Sequence, residues 1–308
     1  MSTNNAVIEV SELTKDYGGG RGVFDVSFAV QPGEVLGFLG SNGAGKTVTM
    51  RHLMGFIRPQ AGSARIFGLD CFAKRAQIQS RLGYLPGEIA MDERLTGRQF
   101  LRFAAKMRGL QSTQRMEELI ERFELDPSAR IGRMSKGTKQ KVGLVAAFMA
   151  RPDVLLLDEP TSGLDPLMQN RFIELVQEER DRGATVFLSS HIFEEVERCC
   201  SRVAFIRAGR LVATEDVACA KASRQQAFEL AFSSEAEADR YLHEHPGSAS
   251  AAGGCRVLAQ VPGSADAFVK DLAGYSLEAL TSREQSLEEA FMHFYGEGTG
   301  PGAGHSAA

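Results

Sequence analysis

A glycine-rich loop near the amino terminus has the residue types and spacing needed to bind phosphate. The loop follows the apolar run Val35–Leu39 and matches the pattern G-x-x-x-x-G-K-[ST]. Its glycines permit a tight turn with unhindered N–H groups, and a helix predicted over residues 46–55 adds the positive end of its dipole. The sequence therefore predicts a nucleoside triphosphate site at Gly40, Ser41, Asn42, Gly43, Ala44, Gly45, Lys46, Thr47 and Val48.

Two side chains of this loop carry the chemistry. Lys46 supplies a mobile cation for the outer phosphates, and the Thr47 hydroxyl can ligate Mg²⁺. The alternative is a glycine-rich turn that binds nothing. It is disfavoured because the loop lies between a predicted strand and a predicted helix.

A pair of acids at the end of a second predicted strand completes a hydrolytic site. The apolar residues Val154, Leu155, Leu156 and Leu157 lead directly into Asp158 and Glu159. Asp158 can anchor Mg²⁺ at the strand tip, and Glu159, which points the other way, can polarise an attacking water. Two solvated acids on a surface turn are the alternative, but a buried apolar strand leading into them favours the catalytic interpretation.

Further motifs resemble those of the ATP-binding subunit of an ATP-binding cassette (ABC) transporter, across about residues 5–215. Residues 135–140, Ser-Lys-Gly-Thr-Lys-Gln, are similar to the signature loop of that family. Residues 162–165, Ser-Gly-Leu-Asp, resemble its D-loop. His191 follows an apolar strand predicted over residues 184–188 and resembles the switch histidine. Tyr17 has the position of the aromatic residue that stacks on adenine.

The resemblance implies an α/β P-loop NTPase fold with a RecA-like core, an antiparallel β subdomain and an α-helical subdomain. It implies ATP and Mg²⁺ as cofactors and catalytic roles for Glu159, His191 and Lys46, with Thr47 and Asp158 at the metal. It also implies a second ATP-binding subunit, most simply in a homodimer, whose ATP is contacted in trans by the signature residues Ser135, Lys136, Gly137 and Thr138, with Asp165 in the D-loop.

Three of these residues also have simpler interpretations. Ser135 begins a predicted helix, so it can be an ordinary N-cap as well as an anion contact. His191, as a neutral imidazole, can donate to a phosphate and orient Glu159, although a single histidine is often structural. Tyr17 can be a turn aromatic beside three glycines instead of an adenine platform.

The chain departs from the family pattern at three places. Lys136 stands where glycine is common, and Val48 stands where a second hydroxyl is common. In the Q-loop, where a glutamine usually follows Tyr-Leu-Pro, this chain has Gly87 and then Glu88. Either Glu88 acts through water, or coupling to the membrane partner is looser.

Composition restricts the class of protein. The chain has 308 residues, 43 % of them apolar, and a net charge of −4, which gives no reason to expect a nucleic acid partner. No apolar run approaches the roughly 18 to 20 residues that span a bilayer. We expect an ABC domain over residues 5–215, a small α+β domain over 216–296 and a disordered tail over 297–308. Within the first domain, apolar Phe100, Phe103, Ala104 and Met107 at helical spacing predict a helical stretch over 96–124. A terminal amphipathic helix is predicted to begin at residues 286–291.

The resemblance to ABC subunits implies an ATPase subunit at the cytoplasmic face of the membrane. It would power export of a drug, lipid or other small amphipathic substrate through a separate integral membrane subunit. One alternative is a soluble ABC ATPase acting on DNA or ribosomes. Another is a regulator that binds nucleotide without hydrolysis, which is disfavoured because Lys46, Asp158, Glu159 and His191 are all present.

Overall fold

The computed structural model describes residues 6–222, 226–261 and 265–284. The chain divides into two compact units between Val217 and Ala218. The first contains all the motifs above. The predicted terminal helix near residues 286–291 and the predicted disordered tail lie outside the described residues.

The first unit is built around a six-stranded sheet whose central strands are parallel. Every residue of β3 (Val35–Leu39), β7 (Val154–Asp158) and β8 (Thr185–Ser190) is buried, and most are apolar, as expected for strands covered on both faces. The spatial order is β10-β9-β3-β8-β7-β6, with β10 antiparallel to β9. The strands are β3 (Val35–Leu39), β6 (Leu82–Leu85), β7 (Val154–Asp158), β8 (Thr185–Ser190), β9 (Arg202–Arg207) and β10 (Arg210–Asp216).

This order positions the site. Parallel pairing of β3 with β8 and of β8 with β7 brings the carboxyl ends of three strands to one edge. The phosphate loop follows β3, the acids end β7, and His191 follows β8. Ligands bind at this edge in open α/β sheets.

A second, antiparallel sheet packs into the same core. Its order is β2-β1-β4-β5. The rings of Phe28 from β2 and Phe187 from β8 stack with centroids 5.2 Å apart, which joins the two sheets. The strands are β1 (Ile8–Asp16), β2 (Gly22–Val30), β4 (Ala61–Ile66) and β5 (Leu69–Asp70).

The helices of this unit follow the predicted pattern with one correction. The stretch 96–124 is two helices, because α3 begins at a Thr96 capping box and the chain turns at Gly109, where φ is +66°. The helices are α1 (Lys46–Leu53), α2 (Arg75–Gln79), α3 (Gly97–Met107), α4 (Gln114–Arg122), α5 (Lys136–Phe148), α6 (Pro166–Asp181) and α7 (Phe193–Cys199).

The apolar face of α3 also differs from the prediction. Periodicity favoured a face containing Phe103 and Met107, but these side chains are 58 % and 72 % exposed. The helix instead buries Leu101 and Ala105.

The second unit has the split β-α-β-β-α-β topology of ferredoxin-like folds. Its sheet order is β12-β13-β11-β14, and Phe232, Tyr241 and Val257 belong to its core. Helix α8 (Val217–Ala222) contains, in the chain, the boundary between the two units. The other elements are β11 (Gln226–Phe232), α9 (Glu235–Glu244), β12 (Ala249–Gly253), β13 (Arg256–Val261), α10 (Ala265–Leu272) and β14 (Leu277–Glu284).

Candidate functional site

The sequence-predicted phosphate loop and acids line one cleft of about 730 Å³ in the first unit. Gly40 and Ala44 are not on its wall: Ala44 is buried, and the Gly40 carbonyl oxygen accepts a hydrogen bond from Lys46. The wall is formed by Tyr17, Arg21, Gly22, Ser41, Asn42, Gly43, Gly45, Lys46, Thr47, Val48, Arg51, Tyr84, Pro86, Gly87, Glu88, Lys136, Asp158, Glu159 and Ser162.

The loop before α1 has the backbone that a phosphate cradle requires. Gly45 has φ +110°, and a Cβ there would lie 2.9 Å from Val23 Cγ1, so a larger residue does not fit. Helix α1 begins at the next residue, and its first N–H groups have no intrahelical partner. A phosphate therefore finds both donors and the positive end of a helix dipole.

Oxygen atoms suited to Mg²⁺ meet at the end of β7. The Thr47 hydroxyl donates to Asp158 Oδ2 at 2.9 Å, and the Ser189 hydroxyl donates to Asp158 Oδ1. Asp158 is only 1 % exposed, so these hydroxyls replace water around its carboxylate. One carboxylate and one hydroxyl beside a phosphate cradle are a donor set that Mg²⁺ commonly uses.

Glu159 occupies a strained position at the strand end. Its φ of +49° is unusual for a residue with a side chain. The backbone is held there from both sides: Glu159 N donates to Ser189 O at 3.1 Å, and Gln140 Nε2 donates to the carbonyl oxygens of Glu159 and Pro160. Such strain persists where the surrounding structure fixes the backbone, which is typical of catalytic residues.

The carboxylate of Glu159 bridges a lysine and a histidine. Lys46 Nζ lies 3.0 Å from Oε1, and His191 Nδ1 lies 2.5 Å from Oε2. An ionised carboxylate only accepts hydrogen bonds, so Nδ1 carries the proton in this contact. A neutral His191 then has an acceptor at Nε2, and donation from Nε2 to a phosphate requires the imidazolium.

The signature loop begins a helix but mostly lies away from the cleft of its own subunit. The exposed Ser135 caps α5, and its hydroxyl accepts from Thr138 N at 3.1 Å. A Cβ at Gly137 would lie 2.3 Å from Gly163 O, so this contact between signature and D-loop requires glycine. Of the predicted signature residues, Lys136 lines the cleft, and its Nζ donates to Ser162 Oγ at 2.7 Å.

Asp165 has a clear structural role. Its carboxylate accepts from Met168 N at 3.0 Å and caps α6, whose first residue is Pro166. The side chain is exposed and outside the cleft wall.

The remaining predicted residues, Tyr17, Gly87 and Glu88, also line the cleft. Tyr17 is 47 % exposed on the wall, with Lys15 Nζ 5.7 Å from its ring centroid. Gly87 approaches the metal-binding acid so closely that a Cβ would lie 3.2 Å from Asp158 Oδ2. Glu88 is exposed on the same wall.

Comparisons with known proteins agree with this geometry. A family model described as "ABC transporter" matches residues 23–162. The bacitracin transport ATP-binding protein BcrA of Bacillus licheniformis is 32 % identical over 309 residues, covering 97 % of this chain and 99 % of that protein. The chain belongs to the ABC transporter ATP-binding proteins.

Two further matches fit the same family. Nod factor export ATP-binding protein I of Paraburkholderia xenovorans (strain LB400) is 38 % identical, covering 68 % of this chain and 70 % of that protein. A solved ATP-binding subunit of an ABC transporter is 33 % identical, with a TM-score of 0.64, covering 70 % of this chain and 92 % of that one.

Membership confirms the predicted α/β P-loop fold and the predicted function as the ATPase subunit of an ABC transporter. ABC ATP-binding subunits bind ATP or ADP, work with membrane subunits and dimerise. Across the described parts of the chain, every helix is too short or too polar to cross a bilayer.

Sequence reasoning missed several residues that shape the ABC site. Gln140 and Ser189 hold the backbone of Glu159, and Arg21 and Arg51 add positive charge to the cleft wall. Gln140 is the last residue of the predicted signature loop. Its position on the predicted helix that begins at Ser135 could have indicated a contact with the neighbouring catalytic loop. Arg21 and Arg51 reach the cleft only through the tertiary fold, so no pattern in the neighbouring sequence indicates their roles.

Proposed function

We propose that this subunit hydrolyses MgATP with Glu159 as general base and that a membrane partner uses the energy for export. The observation that carries the proposal is the convergence of Lys46, Thr47, Asp158 and Glu159 on one cleft. There Lys46 contacts Glu159, and Thr47 contacts Asp158. These residues provide a phosphate-facing cation, metal ligands and a proton acceptor.

The chemistry assigns a task to each side chain. Thr47 and Asp158 would hold Mg²⁺, which neutralises charge on the β- and γ-phosphates when bound. Glu159 accepts a proton from the attacking water. The water oxygen forms a bond to the γ-phosphorus, and the bond between that phosphorus and the leaving ADP oxygen breaks. Lys46 stabilises charge on the phosphates, and His191 orients Glu159 through Nδ1. The products are ADP and inorganic phosphate.

The proposed dimer explains why Ser135 is exposed. Its hydroxyl caps α5, so the helix presents backbone N–H groups beside Ser135 at the surface. Ser135 is not on the wall of its own cleft. In a homodimer the loop would contact the γ-phosphate held by the second copy, and ATP would close the dimer because each phosphate touches both subunits.

Export is supported by the relatives reported above. They are named for bacitracin transport and Nod factor export, and neither name concerns DNA or ribosomes. We place the subunit at the cytoplasmic face of the membrane, where ATP is available, next to an integral membrane subunit. The cargo class follows the relatives: a drug, lipid or other small amphipathic compound.

Glu159→Gln tests the catalytic assignment. The amide keeps the side-chain shape but is a far weaker base, so ATP should still bind while turnover falls about 10²- to 10⁴-fold. Glu121→Gln is the matched control, because Glu121 is an exposed acid on α4 outside the cleft. Hydrolysis by Glu159→Gln near the wild-type rate would remove Glu159 from the proposed role.

A further inference from the structure

A second buried acid, Glu195 on α7, lies behind the catalytic loops. Its side chain is 6 % exposed, and Oε2 accepts a hydrogen bond from Ser190 Oγ at 2.7 Å. The other oxygen, Oε1, makes no hydrogen bond of good geometry within the described residues, although the Thr161 hydroxyl lies near enough to lower the pKa of the carboxyl group. A buried oxygen without a partner is costly, so its retention needs an explanation.

The contacts of Glu195 connect to the histidine loop. The Ser190 hydroxyl that Glu195 accepts from is itself the acceptor for Ile192 N at 3.0 Å. Ser190 and Ile192 flank His191 in the chain, so this hydroxyl fixes the backbone on both sides of the histidine. Fixing Ser190 therefore restricts where the imidazole can lie.

Glu195 also borders the loop that carries the catalytic acid. It lines a small cavity of about 50 Å³ together with Thr161 and Ile192. Thr161 follows Glu159 by two positions and is 4 % exposed. A cavity of this size has room for water, which can complete the hydrogen bonding of Oε1. The carboxyl group thus lies where the Glu159 and His191 loops meet.

The electrostatic surroundings make the carboxyl group sensitive to both loops. Burial raises the pKa of Glu195 to about 7, and the charge of Glu159 adds to the rise. The hydroxyls of Ser190 and Thr161 and the imidazole of His191 act in the opposite direction and lower it. From its own helix, Glu194 and Arg198 line the same cavity. The pKa of the buried Cys200 thiol is raised mainly by burial, and the charge of Glu195 contributes to that rise.

We propose that Glu195 is a positioning residue for ATP hydrolysis, which aligns His191 and Glu159 by holding Ser190 and the wall formed by Thr161. The inference rests on the proposed roles of Glu159 and His191. It assigns a function to a residue outside the nucleotide cleft, with water as the ligand of the small cavity.

Steady-state kinetics of two Glu195 variants test the proposal. Glu195→Leu removes the acceptor for Ser190, so kcat should fall about 10- to 100-fold while the KM for ATP stays within about two-fold. Glu195→Gln retains an acceptor oxygen, so its kcat should stay near the wild-type value at acidic pH. The ratio of wild-type to Glu195→Gln kcat should then change as pH rises through about 7.

A double-mutant cycle separates positioning from stability. Ser190→Ala should lower kcat, and adding Glu195→Leu should cost little more, because both changes break the same contact. Glu179→Gln is the control for loss of a buried acid: Glu179 is 2 % exposed but pairs with Arg115 and Arg182, away from the cleft. It should leave kcat unchanged in the folded protein.

Two outcomes would overturn the inference. One is a kcat for both Glu195 variants within two-fold of wild type at every pH. The other is additive effects of Glu195→Leu and Ser190→Ala. These outcomes differ from failure of the proposed function, which would appear as an active Glu159→Gln variant. An inactive Glu159→Gln together with a fully active Glu195→Leu would refute only the positioning role of Glu195.

Discussion

Lys46 and Glu159 contact each other inside the cleft, with Nζ 3.0 Å from Oε1 and the lysine side chain only 6 % exposed. A buried ammonium needs a compensating anion, and Glu159 provides it. The γ-phosphate is a stronger anionic partner for Lys46, so nucleotide binding should compete with this pair and free the carboxylate to act on water.

Lys46→Ala should weaken ATP binding by about 10- to 100-fold, because a charge-assisted contact to phosphate is lost. Titration with a fluorescent ATP analogue measures the effect. Lys74→Ala, at an exposed lysine outside the cleft, is the control and should bind as the wild type does. Equal affinities for the two variants would show that Lys46 does not face the phosphates.

Ser135→Asp should preserve stability and prevent ATP-driven dimerisation. Aspartate is a good N-cap, so α5 keeps its capping bond, but a negative charge would face the γ-phosphate of the second subunit. Light scattering with ATP in the Glu159→Gln background measures the dimer. Ser234→Asp makes the same change at the N-cap of α9 and should leave dimerisation intact.

Glu88→Ala should reduce the stimulation of ATPase activity by the membrane partner while changing basal hydrolysis only a few-fold. Gly87 has no side chain to reach the metal site, and Glu88 is exposed, which suits a mobile residue near the membrane partner. ATPase rates of the isolated subunit and of the reconstituted transporter give the comparison. A basal rate as low as that of Glu159→Gln would instead make Glu88 catalytic.

Glu195→Gln should flatten the pH dependence of stability. The folded-state pKa of Glu195 is raised to about 7 by burial, above its unfolded value, so its stabilising contribution is complete at low pH. That contribution, up to about 3 kcal/mol, is lost as pH rises toward and through 7. Urea unfolding between pH 5 and 8 should show the loss in the wild type only, and parallel curves would contradict the assignment.

Local patterns predicted much of the site. The phosphate loop, Asp158 and Glu159 lie on short contiguous segments whose apolar strands and glycines are visible in sequence, and the parallel sheet brings those segments together. The contact of Gln140 with the Glu159 backbone and the position of Glu195 were not predicted, because these contacts join distant loops or fill buried space. The prediction that Phe103 lies on the apolar face of α3 was wrong. Apolar residues occur on more than one side of this helix, and packing against its neighbours, which buries Leu101 instead, decides which side is covered.

Mixing two inactive variants tests most directly whether each ATP is held between two subunits. Lys46→Ala lacks the phosphate cation, and Ser135→Asp lacks the trans contact. A mixed dimer would contain one complete site, formed by Lys46 of one subunit and Ser135 of the other. In it the Ser135→Asp substitution faces only the site that Lys46→Ala weakens, so ATP bound at the complete site can still close the dimer. Equal amounts should regain about a quarter of the wild-type ATPase activity, since half of the dimers are mixed and each has one of two sites. No activity on mixing, from variants that fold and form mixed dimers, would contradict the two-subunit site.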